Sequence, residues 1–161
     1  MNSKILTIRE LKITMDNIGK GNKKLVFTNG CFDILHIGHI YYLYAASKLG
    51  DVLIVGVNGD DSVKQLKGSM RPIINARERT EIIAALEMVD YVTLFDSLTC
   101  SKLLQMIKPE VYVKGGDYSS ETLPEEEVVK DYGGKVEIID RVKNRSTSQI
   151  INKVKGFDSN E

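Results

Sequence analysis

The sequence predicts an α/β protein: a three-layer sandwich in which one parallel sheet of about five strands carries helices on both faces. Three observations lead there. Short β-branched runs alternate with helical patterns from end to end. The stretch Val52-Leu53-Ile54-Val55-Gly56-Val57 is continuously apolar, as in a strand buried on both sides. No linker, internal repeat or low-complexity tract divides the 161 residues, so they read as one domain.

Residues 7–15 read as a short opening helix. Residues 25–28 form the first expected strand and 52–57 the second, followed by 91–95, 111–113 and 136–139. Between them, residues 40–49, 60–66, 76–86, 100–107 and 125–132 place apolar side chains at helical spacing. A last helix begins at Ser146 or Thr147, whose hydroxyl suits an N-cap, and carries Ile150, Ile151 and Val154 on one face. Residues 156–161 are expected to fray. Parallel strands joined by helices need right-handed crossovers. In such sheets ligands bind beyond the carboxyl ends of the strands, near the switch in strand order.

Charge narrows the function classes. Lys and Arg total 22 against 22 Asp and Glu, so nothing draws the chain to nucleic acid or an anionic membrane. No basic stripe with interleaved aromatics marks a nucleic-acid module. No apolar run approaches the roughly 20 residues of a membrane span, and the first nine residues lack a signal-peptide core. Cys31 and Cys100 are too few and too far apart for a disulfide framework or a zinc site. A cytoplasmic protein is expected, without nucleic-acid or membrane partners.

The strongest chemical signal lies directly after the first strand, in Thr28-Asn29-Gly30-Cys31-Phe32-Asp33-Ile34-Leu35-His36-Ile37-Gly38-His39. A lone histidine at a helix start usually caps or packs. Here both histidines of the chain fall within four residues, at the carboxyl end of a strand. At the first turn of a helix their rings lie beside the unsatisfied amides and the positive end of the dipole. Such an arrangement suits a polyphosphate. Gly30 and Gly38 let backbone approach a bulky anion.

Gly30-Cys31-Phe32-Asp33 with His36-Ile37-Gly38-His39 resembles the G-x-F-D and H-x-G-H signature of the cytidylyltransferase-like nucleotidyltransferases. Arg145-Ser146-Thr147-Ser148-Gln149-Ile150-Ile151 is similar to their S-T-T/S-x-I-I segment. Val113-Lys114-Gly115-Gly116-Asp117-Tyr118 resembles the V-K-G-G-D-Y of the D-glycero-β-D-manno-heptose 1-phosphate adenylyltransferases. The likeness extends over residues 4–154, and the length matches the free-standing form without a fused sugar-kinase domain.

This resemblance implies a Rossmann-like enzyme that moves AMP from ATP to heptose 1-phosphate and releases pyrophosphate. His36, His39 and Lys114 are the expected catalytic residues. Thr28, Asn29, Gly30, Cys31, Phe32, Gly38, Gly115, Asp117, Ser146, Thr147 and Ser148 are expected around the nucleotide. Asp33, Lys64, Lys67, Arg71 and Tyr118 are expected toward the acceptor. Arg79 matches a family position and reads as an electrostatic or structural partner of the site. Mg2+ is expected on the nucleotide's phosphates, with no dedicated protein metal site. Relatives of this size imply a homo-oligomer. Thr147-Ser148 also occurs in choline-phosphate relatives, so a CTP-dependent enzyme making a CDP-alcohol such as CDP-glycerol is an alternative. A nucleotide-binding sensor without turnover is the second alternative.

Overall fold

The computed structural model describes residues 2–19, 22–116, 123–140 and 146–157. Its elements follow the expected alternation. They are α1 (Ile8–Gly19), β1 (Leu25–Gly30), α2 (Ile37–Ser47), β2 (Val52–Asn58), α3 (Asp60–Lys67), α4 (Ala76–Ala84) and β3 (Tyr91–Phe95). Then come α5 (Ser101–Ile107), β4 (Val111–Gly115), α6 (Glu126–Asp131), β5 (Lys135–Ile139) and α7 (Thr147–Phe157). The five strands form one parallel sheet in the order β3-β2-β1-β4-β5. This is the Rossmann-like sandwich that the sequence implied.

Side-chain alternation along β1 explains the layering. Leu25 and Phe27 face one core with Leu11 and Met15 of α1, Leu103 and Leu104 of α5, and Val129 of α6. Val26 faces the other, with Leu43 and Ala46 of α2 and Ile83 and Ala84 of α4. All seven residues of β2 are buried, as its continuous apolar run requires.

Several boundaries differ from expectation. α2 begins at Ile37, three residues early, because His36 caps it. β1, β2 and β4 run on to Gly30, Asn58 and Gly115, because each polar end still pairs with its neighbour strand. α7 continues through Gly156 and Phe157, so those two residues are helical rather than frayed. One glycine costs a helix only about 1 kcal/mol, too little to stop it there.

Successive strands β1, β2 and β3 step one way across the sheet, and β4 then pairs with the opposite edge of β1. The loops leaving β1 and β4 therefore diverge, and a crevice opens between them, where Thr28 stands in register with Val113. Among the described residues no helix is long and apolar enough to cross a membrane.

Candidate active site

The sharp turn after β1 aims this site. Phe32 adopts a left-handed conformation, φ 47°, which a non-glycine residue holds only when packing compensates. Its ring is buried and meets the His39 ring edge-on, with centroids 5.4 Å apart. A Cβ on Gly30 would stand 3.0 Å from that ring, so glycine there lets the phenyl fold back over the strand end.

The turn delivers His36 to the N-cap of α2 in extended conformation, φ −142° and ψ 168°. Its Nδ1 accepts a hydrogen bond from the Gly38 amide at 3.1 Å. An accepting Nδ1 carries no proton, so the neutral ring holds its proton on Nε2 and presents it as a donor. His39 stacks on His36 with centroids 3.9 Å apart and planes 25° apart. The two imidazoles and the helix dipole thus share one spot, which favours anionic oxygen.

Across the crevice, Lys114 at the end of β4 is 9% exposed and donates to Asn29 Oδ1 at 3.0 Å. The switch point therefore holds a cation beside the histidine-capped helix. Thr28, expected at the nucleotide, is fully buried, and its hydroxyl is occupied elsewhere. It donates to the Val113 carbonyl at 3.0 Å and pairs with the Tyr42 hydroxyl at 2.6 Å, tying β1 to β4 and α2.

Asp33, expected toward the acceptor, is likewise engaged by protein groups. Its side chain is fully enclosed, pairs with the Arg71 guanidinium, and accepts from the Ile73 and Ile74 amides at 2.8 Å each. Burial pushes its carboxyl up, but the two amides and Arg71 more than offset that and hold it below its ordinary value. Asp33 anchors the 71–74 loop beneath the histidine turn, and Arg71 reaches the site as its partner.

This anchor has a pH consequence. A carboxyl lowered in the folded state contributes stability above its unfolded value, about pH 4, and loses it as pH falls through the lowered folded value. Unfolding free energy of the wild type should therefore drop as pH falls below about 4. Asp33→Asn should be less stable at neutral pH and show a flatter acid limb, measured by urea unfolding between pH 2 and 7. A parallel acid limb in the variant overturns the assignment.

The other expected residues are placed as follows. Burial pushes the Cys31 thiol up, while the charges of Lys67, Arg79 and Arg71 pull it partly back. It is a packing group, not a thiolate. Lys64 is exposed and pairs with Asp61 of its own helix at 3.1 Å, and Lys67 is exposed on the same helix. Ser146 accepts from the Gln149 amide at 3.3 Å, and Thr147 donates to the Ile34 carbonyl at 3.3 Å. The first bond caps α7, and the second docks its start on the β1–α2 loop. Ser148 lines a cavity of about 210 Å³ with Met70, Arg71, Ile73, Ile151, Asn152 and Lys155. Gly115 closes β4, whereas Asp117, Tyr118 and Arg145 lie outside the described residues. Among the described residues no group of three His, Cys, Asp or Glu is placed to hold a metal ion.

Arg79 has a larger part than a lone helical arginine suggested. It is 0% exposed. Its Nε donates to the Ile74 carbonyl at 2.8 Å, and Nη1 to the carbonyls of Cys31 and Asn58 at 2.5 and 2.8 Å. Nη2 donates to Asp60 Oδ1 at 2.7 Å. One guanidinium thereby joins the histidine turn, the end of β2, the start of α3 and the 71–75 loop. The signal was available: Arg79 shares the inward face of α4 with buried Ala76, Thr80 and Ile83 at helical spacing.

Comparison with known proteins agrees with this geometry. The family model described as Cytidylyltransferase-like matches residues 27–156. The Bifunctional protein HldE of Syntrophotalea carbinolica is 46% identical over 94% of this chain and 31% of its own length. That of Citrifermentans bemidjiense is 54% identical over 82% of this chain and 27% of its own length. The chain thus spans less than a third of these curated relatives. Among solved structures, the lipopolysaccharide core biosynthesis protein from Thermoplasma volcanium superposes with a TM-score of 0.60 at 31% identity, covering 76% of this chain and 99% of that one. Pantoate-beta-alanine ligase from Francisella tularensis, solved with beta-gamma ATP and beta-alanine, gives a TM-score of 0.65 at 19% identity over 98% of this chain and 79% of that one, and so shares the fold. The matched span runs from β1 into α7 and contains the histidine turn, Lys114 and the Ser146–Ser148 cap: the chain belongs to the cytidylyltransferase-like family.

Proposed function

We propose that the protein transfers AMP from ATP to D-glycero-β-D-manno-heptose 1-phosphate, yielding ADP-heptose and pyrophosphate. The observation that carries this reading is the stacked His36–His39 pair at the entrance of α2, beside the β1/β4 switch. A phosphate oxygen of the acceptor attacks the α-phosphorus of ATP. The bond from that phosphorus to the oxygen bridging toward the β-phosphate breaks, and its electron pair leaves with pyrophosphate. Two polyanions meet, so orientation and charge stabilisation carry the catalysis, with no covalent enzyme intermediate.

His36 donates through Nε2 to the triphosphate, and His39, stacked on it at the positive end of the α2 dipole, completes the cradle. Lys114, held by Asn29, faces the charge that builds on the transferring phosphoryl group. The Ser146–Ser148 cap serves the outer phosphates, and Arg71 with Ser148 borders the acceptor side. Magnesium would arrive with the nucleotide and offset part of the charge of its phosphates; among the described residues no group of three His, Cys, Asp or Glu is placed to hold it.

The heptose acceptor is supported by the likeness of residues 113–118 to the heptose enzymes and by the HldE relatives. The name of the Thermoplasma volcanium neighbour supports a product destined for lipopolysaccharide core. The same reading places the protein in the cytoplasm as a homo-oligomer.

The test pairs each nucleoside triphosphate with heptose 1-phosphate and with glycerol 3-phosphate and measures pyrophosphate. ATP with heptose 1-phosphate should exceed every other pairing in kcat/KM by at least about tenfold, or 1.4 kcal/mol. Preference for CTP and glycerol 3-phosphate replaces the proposal with the CDP-alcohol enzyme. ATP binding without pyrophosphate from any acceptor replaces it with the sensor.

A further inference from the structure

Behind Asn29 lies a buried chain of polar groups that neither the histidine signature nor the phosphate cradle accounts for. Asn29 Oδ1 receives Lys114 Nζ at 3.0 Å and the Tyr112 hydroxyl at 2.9 Å. Tyr112 Oη lies 3.2 Å from Cys100 Sγ, which is also 3.4 Å from Asn29 Oδ1 and 3.7 Å from Glu125 Oε1. The Cys100 amide donates to the same Glu125 oxygen at 3.3 Å. A carboxylate at one end and an ammonium at the other are thus linked through a thiol, a phenol and an amide. Exposure along the chain is low: Glu125 5%, Cys100 1%, Tyr112 0% and Lys114 9%.

The chemistry of the donors fixes the direction of this chain. An ammonium only donates, so the Asn29 atom facing Lys114 is the amide oxygen, and the amide NH2 is turned away from the relay. Burial raises both the Cys100 thiol, to about 12, and the Tyr112 phenol, so both keep their protons at neutral pH. Tyr112 then donates to Asn29, and the single thiol proton of Cys100 goes to Tyr112, Asn29 or Glu125. Burying such groups costs free energy that apolar side chains would not, and each bond in a water-free chain polarises the next.

We propose that Tyr112, Cys100 and Glu125 are positioning residues that act through Asn29 to hold Lys114 for nucleotidyl transfer. The role of Lys114 rests on the reading in the previous subsection; the relay itself does not.

The decisive variants remove one atom group each. Tyr112→Phe keeps the ring stacked on Phe27, at 6.0 Å between centroids, and deletes only the hydroxyl. Cys100→Ala deletes the thiol, and Cys100→Ser restores a donor. In Tyr112→Phe and Cys100→Ala, kcat for pyrophosphate release should fall about tenfold while KM for ATP stays within about twofold, the pattern of an interaction made in the transition state. Cys100→Ser should recover most of the loss. A purely structural role predicts a lower melting temperature with an unchanged kcat for the folded protein, and that result overturns the proposal. A second readout is independent of turnover: the side-chain amide resonances of Asn29 in 15N-labelled protein. They should shift in Tyr112→Phe and Cys100→Ala and return in Cys100→Ser. Unchanged resonances overturn the relay. If the wild type releases no pyrophosphate, the functional reading fails, and the resonances alone decide whether the relay holds Asn29.

Discussion

If the proposed chemistry holds, His36→Ala and His39→Ala should each lower kcat by about a hundredfold or more, because one well-aimed donor contributes roughly 3 to 4 kcal/mol in the transition state. The two losses differ in the structural contact each gives up. His36 is also the N-cap of α2, so alanine there removes the acceptor for the Gly38 amide and costs about 1 kcal/mol of stability. Asparagine caps as well but has no imidazole. His36→Asn should therefore keep the thermal stability of the wild type and still lose turnover, which separates the cap from the chemistry. His39→Ala gives up the edge contact with Phe32, at about 0.5 to 1.5 kcal/mol. Turnover is followed by pyrophosphate release and folding by near-UV circular dichroism. Near-normal turnover in both alanine variants removes the imidazole pair from the mechanism.

Arg79→Ala has the largest expected effect on stability. It leaves the carbonyls of Cys31, Asn58 and Ile74 without their donor and Asp60 without its partner. Each buried acceptor left without its donor costs about 1 to 3 kcal/mol, while Asp60, its side chain 37% exposed, is screened by water and adds little. The three carbonyls together are a large share of the roughly 5 to 15 kcal/mol that holds a domain together. Arg79→Lys should recover less than half of this, because one ammonium cannot match a fork that serves four acceptors in fixed directions. Urea midpoints at constant slope measure both. Buried ion pairs replaced by apolar residues sometimes leave a protein more stable. Arg79→Met at or above wild-type stability would show that the packing of α4, not the guanidinium, holds these loops together.

The histidine site was legible because it is local. His36 and His39 lie within one helical turn, directly after a strand, and that spacing alone stacks their rings at the helix entrance. Lys114 was legible for a similar reason: a lysine before two glycines at a strand end falls on the binding edge of a parallel sheet. The surroundings of Asp33 were not legible, because the residues that close over it, Arg71, Ile73 and Ile74, come 38 to 41 positions later. Arg79 lies on the inward face of α4 with Ala76, Thr80 and Ile83, but the four acceptors it joins come from separate segments that only the fold brings together. The Tyr112, Cys100 and Glu125 relay carries no pattern in the sequence, since its members reach Asn29 across separations of 71 and 83 residues or through one another.

Periodicity of two or of about 3.6, a cap hydroxyl and a glycine-flanked turn are properties of neighbours along the chain. They were enough to specify five strands, the helices between them and the histidine-bearing entrance of α2. Strand order was not among them: whether β4 joins β3 or crosses back to β1 depends on which crossover buries both cores at once. Only that crossing brings Lys114 to Asn29, and only the packing of α4 and α7 onto the same loop decides which charged groups stay buried in pairs and which line the crevice. Those contacts join residues far apart in the chain, and their energies exist only once the whole core has closed around them.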